Sequence, residues 1–230
     1  MAHRKGGDAM KVLDAIRTRR TVRLYQQIPI PVEVLREVAD AARVAPSCGN
    51  KQPLKFIAVY ESGVVAQVFS ALTWARSLAP HRTPPEGKRP MAYVVVLVDR
   101  QIEPCAADGH YDAGAAIENL LLAAWERGIG GCWIRRIERE QLQRILRLPE
   151  DIEIDCVISL GYPAEHPVAE ENGDSMERYI DSRDTLHVPK RPLTDIFHEN
   201  YYHALIGTGA QCPAATRQDL SGRKVEVTPR

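Results

Sequence analysis

The sequence predicts an α+β fold, a mixed sheet flanked by helices. Three observations lead there. Runs rich in β-branched and aromatic residues at 56–60, 93–98 and 152–160 read as strands. Between them lie segments whose apolar residues recur three and four apart, at 31–45, 63–78 and 137–148, the period of an amphipathic helix. A further helix, 111–127, is apolar almost all round, through Ala115, Ala116, Ile117, Leu120, Leu121, Leu122, Ala123, Ala124 and Trp125. Such a helix belongs in a core or a subunit interface.

In chain order, residues 1–9 are polar and Gly-containing and read as a disordered extension. Val12, Leu13 and Ile16 form a short helical stripe. Pro31 suits a first helical position, and the helix it opens shows Val34, Leu35, Val38, Ala41, Ala42 and Ala45 until Pro46 stops it. A strand follows at 54–60. The 79–90 stretch, with four prolines and mixed charges, is a lid, a linker or a plain surface loop. Tyr93 to Val98 read as a strand buried on both faces. Gly128 ends the apolar helix as a C-cap, with Gly130 and Gly131 in a tight turn. Gly161 and Pro163 break the strand at 152–160. Residues 170–174 are loop-like, and Pro189 and Pro192 flank two cations on an extended arm. The organisation expected is one domain at 10–203, with 204–230 as a flexible tail lacking periodicity.

At 230 residues the chain can bury one sizeable core. Lysine plus arginine equals aspartate plus glutamate, 30 each, so the chain as a whole is not built for a polyanion, and any basic site is local. The longest apolar run, 93–98, is too short to cross a bilayer, and His3, Arg4 and Lys5 lead into Gly and Asp rather than a signal-peptide core. Five cysteines, Cys48, Cys105, Cys132, Cys156 and Cys212, include no Cys-x-x-Cys pair, which points to reduced thiols in a cytoplasm. Cys132 and Cys156 sit in apolar surroundings as core residues. Cys48 has no histidine near it in sequence to activate it.

Two stretches carry the chemistry. Arg19-Arg20-Thr21-Val22-Arg23 concentrates guanidinium groups and a hydroxyl, an array suited to phosphate oxygens. Arg19 and Arg23 fall on one side whether the segment is helical or extended. Pro46-Ser47-Cys48-Gly49-Asn50-Lys51-Gln52-Pro53 sets hydroxyl and amide groups on irregular backbone, where polar ligand contacts are built. Taken singly, the first is equally a solvated face and the second a turn.

In this order and spacing the two stretches resemble the nitroreductase family of flavin mononucleotide (FMN) enzymes, which open with an Arg-Arg-Ser-x-Arg-like segment, then a helix, then Pro-Ser-x-x-Asn-x-Gln-Pro leading into the first strand. The apolar run from Asp112 to Ala124 and the segment from Gly128 to Ile134 fit as well, so the likeness spans about 10–202. The resemblance implies a central mixed, mostly antiparallel sheet flanked by helices, and a homodimer whose C-terminal arm reaches the partner subunit. It implies that Arg19, Arg20, Thr21 and Arg23 hold the FMN phosphate, with Lys190 and Arg191 closing from the arm. Pro46, Ser47, Asn50 and Gln52 would then contact the flavin or its ribityl chain, partly across the dimer. Gly130 and Gly131 would let backbone N–H groups approach the reactive ring edge. NADH or NADPH would supply hydride, and a nitroaromatic or quinone would receive it at the same face, a ping-pong scheme. No protein acid or base is required by this chemistry, and none stands out. Trp74, Arg76 and Tyr111 are expected to line the acceptor site; metal is not expected.

Rival readings remain at this level. A nucleic-acid binder using Arg17, Arg19, Arg20 and Arg23 lacks interleaved aromatics and a basic balance. A metal hydrolase using His198 and His203 lacks a His-Glu-x-x-His motif. Within the same family, a flavin carrier, a reductive dehalogenase or a flavin-fragmenting enzyme stays open.

Overall fold

Two inner strands with no wet face carry the molecule. The computed structural model describes residues 10–74, 83–171, 175–202, 216–218 and 224–226. Their helices are α1 (Val12–Thr18), α2 (Val32–Arg43), α3 (Ser62–Ser70), α4 (Ala106–Glu126) and α5 (Arg139–Leu146). Their strands are β1 (Leu54–Val59), β2 (Ala92–Asp99), β3 (Gly130–Ile134), β4 (Ile152–Gly161), β5 (Val168–Glu171), β6 (Tyr179–Ile180), β7 (Leu186–Lys190), β8 (Thr216–Gln218) and β9 (Lys224–Glu226). The main sheet runs β1-β2-β4-β3, each pair antiparallel. Thr21 adds a parallel bridge to Gly131 at its β3 edge, so the sheet is mixed and mostly antiparallel.

Alternation along the inner strands divides the core. Val94, Val96, Cys156, Ile158 and Leu160 pack against Leu35, Val38 and Ala42 of α2 and Ala113, Ala116, Ile117, Leu120 and Leu121 of α4. Tyr93, Val95, Leu97, Val157 and Ile154 pack the other way, against Val68 and Leu72 and against Leu142 of α5. Each such side chain buried contributes about 1.5–3 kcal/mol. That two-sided burial is why β2 reads as an unbroken apolar run. A bulge interrupts the β2–β4 ladder: Val96 faces Cys156 and Leu97 faces Ile154, leaving Asp155 as the extra residue.

Several expectations need correction. The segment expected to turn at Gly130 and Gly131 is strand β3. Gly128 is the cap alone (φ 75°), where the Gly128 N–H donates to the Trp125 carbonyl at 3.0 Å and the Ile129 N–H to Ala124 at 2.9 Å. Residues 170 and 171, expected at the start of a loop, end strand β5 in a three-stranded sheet of order β5-β7-β6. Beside it His187 bridges Glu170 (3.0 Å) and Asp181 (3.3 Å), and these two carboxylates raise its pKa. Helix α4 starts five residues before Tyr111, and α3 ends at Ser70. The stripe Val12, Leu13, Ile16 faces outward, because α1 packs inward through Ala15 against Val22, Tyr25 and Trp125. Of the proline-rich stretch, the described residues are tied down: the Tyr25 N–H donates to Lys88 O (3.0 Å) and Gln27 Nε2 to Arg89 O (3.0 Å).

A second compact unit comprises Glu171–Met176 and Pro189–Arg230. In it Leu193–Asp195 makes one 3-10 turn and the His198 ring packs on Tyr202 at 4.6 Å. Residues 216–218 and 224–226, expected to be without strand character, pair antiparallel as β8 and β9. Residues 1–9, expected to be disordered, and the rest of the tail lie outside the described residues, as do His203 and Cys212.

Candidate cofactor and acceptor site

The 19–23 segment leaves α1 and runs along the β3 edge. The Val22 N–H donates to Gly131 O at 3.0 Å, and buried Val22 and Tyr25 anchor the segment. Tyr25 Oη donates to Val22 O (2.5 Å) and meets Ser159 Oγ at 2.8 Å, which fixes the segment on β4. The cations then diverge. Arg19 Nε donates to Glu118 Oε1 of α4 at 3.1 Å. Arg20 folds back, Nη2 donating to Arg17 O at 2.7 Å and Nη1 to Arg19 O, while its Nε is buried without a partner among the described residues. Arg23 is only 8% exposed; its N–H donates to Glu165 Oε1 at 2.5 Å, and its side chain lies beside Cys132. Thr21 is half-buried.

Like charges crowd here. Burial, then Arg19, pushes the Arg20 pKa down, and burial, then Arg23, does the same to Arg178. Two guanidinium groups held below their ordinary range by burial and a neighbouring cation, with Arg20 Nε lacking a partner among the described residues, form an electrostatic site that a dianion would relieve.

The second stretch is a preformed loop. Gly49, Asn50 and Gln52 take left-handed φ values of 58°, 54° and 53°. The Gln52 N–H donates to Ser47 Oγ (3.0 Å), and Gln52 Nε2 to Asn50 Oδ1 (3.1 Å). Pro46, Asn50 and Gln52 are exposed and Ser47 half-buried. Helix α4 holds this loop too. Asp112 Oδ1 accepts the Cys48 N–H at 2.8 Å, and Lys51 Nζ reaches Glu103 Oε2 at 2.7 Å. Helix α4 therefore positions both stretches, one through Asp112 and the other through Glu118.

Gly130 and Gly131 are buried, and protein fills the space beside them. A Cβ on Gly130 would stand 2.6 Å from Val22 Cγ2, and one on Gly131 would stand 2.7 Å from Leu121 Cδ2. Lys190 and Arg191, both exposed, belong to the second unit. Of the three residues expected at the acceptor site, Trp74 is instead a core residue, its ring 5.5 Å from Phe69 and its Nε1 buried without a partner. Tyr111 is 78% exposed on α4. Arg76 lies outside the described residues.

Sequence reasoning missed Asp112, Glu118, Glu165 and Arg178. Asp112 and Glu118 stood inside a stretch noted only for being apolar, where two carboxylates on a buried helix were the available signal. Glu165 and Arg178 had none, since their partner Arg23 is more than 140 residues away. Glu103, Cys105 and Asp108 bring ligand atoms within 4.8 Å of one another, but Glu103 is already engaged by Lys51 and by the Cys105 N–H at 3.0 Å. Among the described residues no helix is long and apolar enough to cross a membrane.

Known proteins resemble the chain in sequence and fold. A family model described as the Nitroreductase family matches residues 16–162. A protein of Archaeoglobus fulgidus named "Putative NADH dehydrogenase/NAD(P)H nitroreductase" is 36% identical over 156 residues, covering 66% of this chain and 84% of that protein. A 5,6-dimethylbenzimidazole synthase of Rhodospirillum rubrum is 29% identical over 180 residues, covering 69% and 85%. A nitroreductase-type protein of Desulfovibrio desulfuricans, solved in complex with FMN, superposes with a TM-score of 0.63 at 23% identity, over 85% of this chain and all of that one.

Proposed function

Because the chain belongs to the nitroreductase family, and is on that ground an oxidoreductase, we propose that it binds FMN and passes hydride from NADH or NADPH to nitroaromatics, quinones or similar electron-poor acceptors by a ping-pong mechanism. The observation that carries this reading is the crowding of Arg19 and Arg20, with Arg20 Nε orphaned, at the end of the sheet where Thr21 bridges Gly131. The donor set fits a phosphate monoester: planar guanidinium groups and a hydroxyl on one short segment.

When bound, FMN supplies the two-electron chemistry. The chain's own residues bind and orient. Arg19, Arg20, Thr21 and Arg23 take the phosphate, as the family resemblance implies. The loop bearing Pro46, Ser47, Asn50 and Gln52, held in left-handed turns, offers amide and hydroxyl groups to the ring and ribityl chain. Gly130 and Gly131 hold the edge segment close to β3, so the cations stay in register with the strand. Tyr111 and Arg76 stand for the acceptor side.

A homodimer in the cytoplasm completes the proposal. Its support is an outward apolar surface: Val12, Leu13 and Ile16 of α1 are 71%, 59% and 49% exposed. The test is direct. Purified protein should be yellow, sediment as a dimer and release FMN, not FAD, on denaturation. It should then turn over NAD(P)H with a quinone in parallel-line kinetics. Protein that takes up no flavin when reconstituted sinks the proposal.

A further inference from the structure

Forty-five residues apart in sequence, His110 and Asp155 meet across the α4 face of the sheet. His110 Nδ1 is hydrogen-bonded to Asp155 Oδ1. The Asp155 side chain is 4% exposed and the His110 side chain 45%, so the pair has one buried and one accessible end. Asp155 is there because of the β4 bulge: as the unpaired residue of the ladder it leaves the strand's alternation. An ionised carboxylate only accepts, so Nδ1 donates to it, and the ring's other nitrogen, Nε2, is left for a second partner.

The surroundings suit a reacting group. Gly114, one turn from His110 on the same face of α4, is bare enough that a Cβ there would lie 3.9 Å from Trp133 Cη2. Trp133 is 39% exposed, an aromatic surface beside Gly114 one helical turn from His110. Strand β3 connects this place to the cation cluster: Gly131 bridges Thr21, and Trp133 follows two residues on, about 7 Å along the strand. A mononucleotide carries its reactive ring beyond a ribityl chain from its phosphate. A ligand whose phosphate sat at Thr21 and whose ring followed β3 would bring that ring toward the Trp133 end of the strand. The charged groups facing the pair are Arg139, whose Nη2 donates to Asp155 O at 3.5 Å, and Arg135, within electrostatic reach of the neighbouring Cys156; Tyr111 adjoins on α4.

We infer that His110, oriented by Asp155, delivers the proton that accompanies electron transfer to the acceptor, an inference that rests on the oxidoreductase reading above. For a quinone the balance is quinone plus NAD(P)H plus one proton giving hydroquinone plus NAD(P)⁺. The electron pair and one hydrogen derive from the nicotinamide. The second hydrogen is the Nε2 proton of the imidazolium, whose N–H bond breaks as the acceptor O–H bond forms. Water then reprotonates the neutral imidazole. His110 is the catalytic residue and Asp155 a positioning residue.

The experiment compares two acceptors on FMN-loaded protein: a benzoquinone, which must gain a proton, and ferricyanide, which takes an electron and none. His110→Gln should lower the quinone-to-ferricyanide rate ratio about a hundredfold, and added imidazole should restore part of it in His110→Ala. Asp155→Asn should lower the ratio less. Nitrogen-15 histidine spectra of the flavin-free protein give a readout apart from turnover: a protonated Nδ1 at His110 that Asp155→Asn perturbs. Unchanged ratios, or equal losses with both acceptors, overturn the assignment and make the pair structural. If the unaltered protein reduces neither acceptor, the oxidoreductase reading itself fails, whatever the spectra show.

Discussion

The two edges of the main sheet are finished in opposite ways. On the β1 edge charges are paired: Lys55 Nζ meets Asp99 Oδ2 at 2.6 Å, and nearby Lys51 answers the buried Glu103. Lysine on an exposed strand also discourages edge-to-edge association. On the β3 edge the strand begins with two glycines, a second segment of chain lies against it, and guanidinium groups crowd with a donor unspent. Charges that already have partners are structure. A guanidinium that is part-buried beside another cation, as Arg20 is, is held for something else, and holding it costs the fold stability that a bound dianion returns.

The sharpest way to break that contrast is to remove the crowding. Each charge-assisted hydrogen bond to phosphate is worth about 1.5–3 kcal/mol, so Arg19→Ala and Arg20→Ala should each weaken FMN binding by roughly tenfold to a hundredfold. Calorimetry or fluorescence quenching on reconstitution reads this. Flavin-free Arg20→Ala should melt no lower than the flavin-free parent, since it removes a crowded cation. A variant that lost stability without losing FMN affinity would make the β3 edge as structural as the other.

How far the sequence reached follows the same division. Strand β2 was legible because residues buried on both faces leave a continuous apolar run. Strand β3 was not, because Gly130 and Gly131 are poor strand formers whose justification, the methyl groups of Val22 and Leu121, lies elsewhere in the chain. The arginine cluster was legible as a cluster. How the segment is held was not, since Glu118 takes the Arg19 guanidinium and Glu165 the Arg23 backbone N–H from 99 and 142 residues away. The loop at 47–52 was read as polar and irregular, yet its pin, Asp112, sat unnoticed in the most apolar helix. Asp155 was invisible because its exposure to His110 depends on a bulge, which is a property of two strands and not of one.

A smaller effect tests the glycines. Gly130→Ala places a Cβ 2.6 Å from Val22 Cγ2, and overpacking of that kind costs about 1–3 kcal/mol. Gly63→Ala is the control: a Cβ there meets nothing within 4 Å and gains helix propensity, so it should be neutral or stabilising by up to about 1 kcal/mol. Urea denaturation of flavin-free protein separates the two. Gly130→Ala should also loosen FMN, because the cations ride on the segment it displaces; an unchanged affinity would show that the 19–23 segment finds its place without β3.

The smallest effect is expected at the other edge. Lys55 lies half in water, where a lone ion pair is screened by solvent and salt, so Lys55→Ala should lower stability less than Gly130→Ala. Its signature is pH dependence. Hydrogen bonding from Lys55, helped by the Gln101 N–H, holds the Asp99 carboxyl below its ordinary value of 3.8. A carboxyl depressed in the folded state stabilises above its unfolded pKa and loses that contribution as pH falls through the folded one. The difference between parent and Lys55→Ala should therefore be full at neutral pH and shrink as pH drops below about 3.8, and added salt should shrink it at any pH. A difference that instead grew in acid, or that carried over into FMN affinity, would mean the β1 edge is not the purely structural margin that its paired charges describe.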